Sequence, residues 1–394
     1  MDEKKEINIP QNETTEEKQE KVRKWPFILL AVVFLLGFLV ITGIWYFKSN
    51  FDYNYNEITK VPEQLGFEEV IEEKVINIAL FGIDTRNEKS FKGRSDSIMI
   101  MSLNTKTKQI KLISVLRDSF VPVDKASGTV YTKLNHAYSM GGPELAIKTL
   151  NKVFDLDISE YATVNFSGMA DIIDAVGGVD VDVTESEVKY INGGVSEHCK
   201  ILGIKEPSKY YISSSGRQHL NGIQAVAYSR IRYTANASGT SNDYGRTDRQ
   251  RYVLGQLFNK ALTLDKSQYK PLIKALMPCC ETSLSTTEIL DLALKVLTSS
   301  PTFSETRVPS TDYTMRAPTT SAGSIAYYDL NFAAKLIHAF IYKNITPSDY
   351  IAQNGVEKNN WYINGYAPID IQDDEITGTQ NENSNDSVSV SDVE

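Results

Sequence analysis

VINIALFGIDTR (75–86), GRSDSIMIMSLN (93–104) and ISVLRDSFVPV (113–123) decide how this chain folds. Each carries a short apolar run of Ile, Val, Leu, Met and Phe, bounded by charged or turn-forming residues, the pattern of a buried strand. Residues 75–83, 97–104 and 110–116 read as three strands, the second and third joined by the polar turn TKTKQ (105–109). Short connections favour antiparallel neighbours. The end of the first strand, the start of the second and the end of the third then meet at one sheet edge. Asp84 and Arg86, Arg94 and Asp96, and Arg117 and Asp118 all fall there. Taken singly, each is an ordinary turn residue with a surface ion pair. Gathered together, they suit a divalent cation and a phosphate. Carboxylate oxygens hold Mg²⁺, which keeps few protein ligands and completes its shell with water and phosphate oxygens. Arginine forks grip the remaining phosphate oxygens in pairs.

Beyond residue 123 the pattern alternates. PELAIKTLNKVF (143–154) follows Gly141-Gly142 and predicts a helix with Pro143 near its start. YATVNF, FSGMADIIDAV and VDVDV read as strand, helix, strand, broken by Gly177-Gly178, and several helices follow Arg246. The expectation is an α/β fold: a mixed central β-sheet flanked by helices.

A second charged group lies downstream. From Lys209 to Lys260 no lysine intervenes, yet the segment holds Arg217, Arg230, Arg232, Arg246, Arg249 and Arg251. Arg230 and Arg232 are two apart in AYSRIRY, so on a strand they face the same side. Arg246, Gln250, Val253 and Leu257 recur at helical spacing, which points Arg246 and Gln250 inward with the apolar residues. An inward arginine needs an anion. A carboxylate such as Asp243 would serve one of them but not three. Arg251 and Asp248 fall on the opposite side, as solvated residues, and Arg249 lies between the two groups. His136 and His219 have no Ser or Cys partner at an indicative spacing and read as structural. Nucleophile-elbow, zinc-peptidase, P-loop and C-x-x-C patterns are absent from the sequence.

Toward the N-terminus, WPFILLAVVFLLGFLVITGIWYF (25–47) carries no charge. At ~1.5 Å per residue it covers roughly 34 Å, enough for a bilayer core. Trp25, Trp45 and Tyr46 sit where interfacial anchors belong, and Lys21, Arg23 and Lys24 outweigh Lys48 across the span. No small-residue cleavage site follows, so the segment reads as an uncleaved anchor. Residues 1–24 then form a disordered cytoplasmic tail, 48–74 a polar stem, 75–366 an external domain, and 367–394 an acidic, Ser- and Asn-rich disordered tail. The net charge of −9 argues against a nucleic-acid binder. Cys199, Cys279 and Cys280 have no metal-ligand spacing, and a bridge from Cys199 to either partner is left open.

The same segments, with KLNHAYSMGG, VNFSGMADIIDAVGGVDV, LNGIQAVAYSRIRY and GRTDRQRYVL, resemble the LytR-CpsA-Psr family over about residues 75–345. The resemblance implies a membrane-anchored phosphotransferase of a Gram-positive-type envelope. Such a protein moves a glycopolymer from a polyprenyl-pyrophosphate carrier to peptidoglycan. It further implies Mg²⁺ on Asp84 and Asp96, and pyrophosphate on Arg86, Arg94, Arg117, Arg230, Arg232, Arg246 and Gln250. Arg117, Asp118 and Asp84 become the candidate catalytic residues, and an apolar channel for the polyprenyl chain is expected. A pyrophosphate hydrolase and a non-catalytic lipid-binding regulator are the alternatives.

Overall fold

The computed structural model describes residues 54–356, apart from positions 86, 88–89, 264–271, 273–275, 298–300, 311–318 and 321–322. The expected cytoplasmic tail, the span 25–47, Arg86 and the acidic tail 367–394 therefore lie outside the described residues. Among the described residues no helix is long and apolar enough to cross a membrane.

In chain order the strands are β1 (Asn54–Tyr55), β2 (Val75–Ile83), β3 (Ser95–Asn104), β4 (Gln109–Val115), β5 (Phe120–Lys125), β6 (Gly128–Lys133), β7 (Glu160–Asn165), β8 (Val179–Val183), β9 (Gly216–Leu220), β10 (Cys280–Thr282), β11 (Thr302–Val308), β12 (Thr319–Thr320) and β13 (Gly323–Ser324). The helices are α1 (Leu134–Phe154), α2 (Phe166–Ala175), α3 (Glu185–Ile201), α4 (Gly222–Ser229), α5 (Asn242–Thr263), α6 (Thr286–Leu297), α7 (Leu330–Lys343) and α8 (Pro347–Asn354).

Seven strands form one sheet in the order β1-β10-β7-β2-β3-β4-β11. As the short connections predicted, β2, β3 and β4 pair antiparallel, while β7 joins β2 and β11 joins β4 in parallel. The sheet is therefore mixed. Its two faces follow the two-residue strand period. Phe81, Ile83, Ile98, Ile100, Ile113 and Val115 pack into one core with Ile147 and Leu150 of α1 and Leu336 and Phe340 of α7. Leu80, Met99, Ala162 and Val164 look the other way, toward α2, α4 and α5. A second core joins those helices with α3 and the separate β8–β9 pair. Gly141 and Gly142 leave helical geometry and break α1, so that its second half starts at Pro143.

Two local expectations change. Residues 54–74 are not a bare stem: β1 pairs with β10, and Ile58 and Leu65 are buried in the first core. Those apolar residues are too sparse among polar neighbours to give a periodic signal. AYSRIRY is not a strand. Asn221 and Gln224 form a reciprocal capping box that starts α4, which runs through Ser229, and Arg230 ends it at φ −98°, ψ −8°. The capping signal outweighs the strand-like alternation.

Candidate active site

The cleft begins with a defect in the β2–β3 ladder. Gly82 faces Ser97, but Ile83 faces Ser95, so Asp96 is the extra residue of a bulge. Under strict alternation Asp96 and Ser97 would point to opposite faces. The bulge instead lets both line one cleft, beside Asp84 at the end of β2. Gly82 makes room there: a Cβ on it would stand 2.9 Å from the Cβ of Ser97. Gly194 of α3, on the far wall, lets α4 approach, since its Cβ would meet that of Ala227 at 2.9 Å.

The cleft, of about 400 Å³, is lined by Asp84, Asp96, Glu197, Arg230, Arg232, Arg246 and Gln250, with Tyr190, Tyr233 and Phe166 at its walls. Elements far apart in sequence thus converge. Arg117, just past β4, donates from Nη1 to Asp96 Oδ1 at 2.6 Å, and its Nε lies 3.5 Å from Asp118 and 3.7 Å from Asp243. Burial works against its charge, but Asp96, Asp243 and Asp118 outweigh that, and its pKa is raised. Arg246 is almost wholly buried and donates to Asp243 at 2.9 Å, while its Nε has no hydrogen-bond partner among the described residues. Burial, then repulsion from Arg117 and Arg232, pulls its pKa down to about 10 against the attraction of Asp243 and Asp96. It remains a cation at neutral pH. Arg230 pairs with Glu197 at 3.2 Å and lies over the Phe166 ring at 4.4 Å.

Four side chains stand differently from expectation. Arg117 is not among the cleft's lining residues and reaches it through Asp96. Asp118 does not line the cleft; it holds Lys133 Nζ at 3.0 Å from behind Arg117. Arg94 is exposed outside the cleft lining, joined to Asp84 only through the backbone. Arg251, read as solvated, is largely buried against Asp248 at 2.6 Å, and Asp248 also pairs with Arg307. Arg249 resolves as a support. Fully buried, it gives Nε to Glu187 at 2.7 Å, Nη1 to Ile231 O at 3.1 Å and Nη2 to Thr234 O at 2.8 Å. Glu187 is at the same time the capping residue of α3. One guanidinium therefore ties α3 and α5 to the loop that presents Arg230 and Arg232. Asp243, expected from the sequence to serve one arginine, lies against three: Arg246 at 2.9 Å, Arg232 at 3.7 Å and Arg117 at 3.7 Å. Its place three residues before Arg246 on one helix was the available signal.

The two histidines bond within their own surroundings, His136 Nδ1 to Thr132 Oγ1 at 2.7 Å and His219 Nδ1 to Asp180 at 2.8 Å. Cys199 is a buried free thiol, so it bridges neither Cys279 nor Cys280. Among the described residues no group of three or more His, Cys, Asp or Glu side chains forms a metal cluster. Asp84 and Asp96 are a pair on one wall, the small carboxylate set that Mg²⁺ accepts.

Behind the charged cleft lies an apolar cavity of about 200 Å³ between the sheet and the helices. Leu80, Met99 and Val164 form its floor, and Met169, Ile172, Val226, Val253 and Leu254 its roof. Gly82, Ser97, Phe166 and Gln250 line both spaces. An amphipathic ligand with a charged head and an apolar tail matches the pair.

Known proteins resemble this chain in sequence and in fold. The chain is 31% identical over 279 residues to Biofilm regulatory protein A of Streptococcus mutans, covering 67% of this chain and 64% of that one. It is 31% identical over 238 residues to the polyisoprenyl-teichoic acid–peptidoglycan teichoic acid transferase TagV of Bacillus subtilis, covering 59% and 57%. It thus spans less than two thirds of the length of either relative. Among solved structures, protein gbs0355 of Streptococcus agalactiae shares the fold with a TM-score of 0.55, at 25% identity, over 77% of this chain and 100% of that one. The LytR_cpsA_psr family model matches residues 45–333, and the chain belongs to that family.

Proposed function

We propose that this protein is a Mg²⁺-dependent phosphotransferase that moves a glycopolymer from a polyprenyl-pyrophosphate carrier onto peptidoglycan. The observation that carries the reading is the charged cleft sharing four lining residues with an apolar cavity. A polyprenyl diphosphate has the same division. Its apolar chain lies among Leu80, Met99, Val226 and Val253, and its diphosphate among Arg230, Arg232 and Arg246, with Arg117 behind Asp96. The transferase named in TagV supports the polymer and the acceptor.

In the transfer, a hydroxyl oxygen of the wall glycan attacks the phosphorus that bears the glycopolymer. The bond from that phosphorus to the bridging oxygen breaks, and polyprenyl monophosphate leaves. The arginines hold both phosphates in line and stabilise charge growing on the leaving oxygen. Asp84 and Asp96 would hold Mg²⁺, which, when bound, offsets charge on the departing phosphate. Asp84 and Glu197 are both exposed carboxylates of the cleft; Glu197 is paired with Arg230, and Asp84 would take the proton of the attacking hydroxyl. Asp118, held by Lys133 and Arg117, is not.

Charge balance supports the metal. Among the described residues, Arg117, Arg230, Arg232 and Arg246 stand against Asp84, Asp96, Glu197 and Asp243. A neutral cleft gains little from a diphosphate diester unless a dication accompanies it. The chain anchored through residues 25–47, with this domain outside the cytoplasmic membrane, would keep the site beside its lipid substrate. The test is a donor labelled at the polymer-linked phosphorus, incubated with the full chain, Mg²⁺ and cell-wall glycan. Label in the glycan supports transfer. Label released as a free polymer phosphate assigns hydrolysis, and label retained on a tightly bound lipid assigns a binding protein.

A further inference from the structure

One carboxylate beside the cleft faces three guanidinium cations. Asp243, in the first turn of α5, lies 2.9 Å from Arg246 Nη2 and 3.7 Å from the Nε atoms of both Arg232 and Arg117. These three arginines come from α5, from the loop after α4 and from the end of β4. Nothing else described joins all three. Of the three, only Arg246 makes a hydrogen bond to the Asp243 carboxylate; the other two stand at ion-pair distance. The Nε atoms of Arg117 and Arg246 are buried without hydrogen-bond partners among the described residues. Guanidinium donors left short in this way are expensive in a packed interior. The cost persists here because Asp243 balances the charge without completing the bonds.

Building on the diphosphate reading above, we propose that Asp243 is a positioning residue, an internal counter-anion that gathers Arg117, Arg232 and Arg246 before substrate arrives. It does not touch the reacting atoms. It acts through the arginines, holding their charges together against mutual repulsion while leaving donors for phosphate oxygens. The same negative charge competes with the diphosphate. Without a metal the site should therefore take pyrophosphate poorly, and removing that one charge should strengthen binding while loosening the geometry that turnover needs.

The two consequences run in opposite directions, which separates this role from a merely structural one. Asp243→Asn keeps the shape and an acceptor oxygen for Arg246 but deletes the charge. With the full chain in detergent and inorganic pyrophosphate as probe, the variant in EDTA should bind about tenfold more tightly than wild type. Its Mg²⁺-supported kcat should fall about 100-fold, as expected when positioned charges drift by around an ångström. Asp243→Glu, which keeps the charge on a longer arm, should restore the wild-type weakness in EDTA. A structural lesion would instead weaken binding and turnover together, and that result overturns the proposal. Unchanged values for both quantities overturn it as well. If wild type fails to bind pyrophosphate even with Mg²⁺, the diphosphate reading itself falls. If wild type binds and only the variant behaves unexpectedly, Asp243 alone has been misread.

Discussion

Arg246 and Arg249 are three residues apart on α5 and both buried, yet their surroundings are opposite. Arg249 has Nε, Nη1 and Nη2 each donated, one of them to a buried carboxylate. Arg246 shares one carboxylate with two other arginines, and its Nε is unmet among the described residues. Of these two, Arg249 is satisfied within the protein, whereas Arg246, which lines the cleft, is held in place but left short of partners. The residue type and the degree of burial are the same, so neither distinguishes them. The census of hydrogen bonds does.

The largest effect should come from the satisfied side. Arg249→Met leaves Glu187 buried and charged with no guanidinium, and should cost about 3–5 kcal/mol of stability, read by denaturant unfolding. Arg249→Lys should not rescue it, because a point charge cannot make three divergent bonds. If Arg249→Met instead folded normally and lost only ligand binding, the contrast between the two arginines would collapse. Next come Asp96 in the cleft and Arg117 bonded to it. Asp96→Ala or Arg117→Ala should lower transfer by about 10²–10³-fold while the unfolding curve stays cooperative. Full activity in either would remove the site assignment. A smaller, sharper effect is expected of Arg246→Lys, about tenfold in diphosphate affinity with little change in stability, since the charge stays and the fork is lost. Smallest is Arg217→Ala. That arginine faces Asp182 at 3.7 Å with both side chains more than half exposed, and its loss should change stability by no more than about 0.5 kcal/mol.

Much of this arrangement is legible in the sequence. The strand periods of 75–83 and 97–104 and the short turn at 105–109 fix the antiparallel pairing that brings Asp84, Asp96 and Arg117 to one edge. The helical spacing of Arg246, Gln250 and Val253 places all three inward, with Gln250 lining both the cleft and the cavity. What escaped the sequence depends on single-residue geometry. The bulge that turns Asp96 into the cleft is a one-residue slip that no periodicity records. AYSRIRY alternates like a strand, but the helix that the Asn221–Gln224 capping box starts runs into it and ends at Ser229. By helical spacing Arg251 and Asp248 read as solvated, and Arg249 falls between the two groups. Their partners Glu187, Glu305 and Arg307 come from distant segments, so only the tertiary structure separates a buried pair from a solvated one. Asp243 escapes for the reverse reason: it lies beside Arg246 in sequence, but nothing in the sequence shows that Arg232 and Arg117 also gather around it.

The most direct measurement is an affinity comparison on the full chain with Mg²⁺ present. The ligands are a short polyprenyl diphosphate, the matching polyprenyl monophosphate and inorganic pyrophosphate. Charged cleft and apolar cavity acting on one molecule predict that the lipid diphosphate binds at least about 100-fold more tightly than either partial ligand. Burying even part of its chain at ~25 cal/mol per Å² supplies that margin over pyrophosphate. Equal affinity for the lipid diphosphate and inorganic pyrophosphate would mean that the cavity takes no part, and the account would be contradicted.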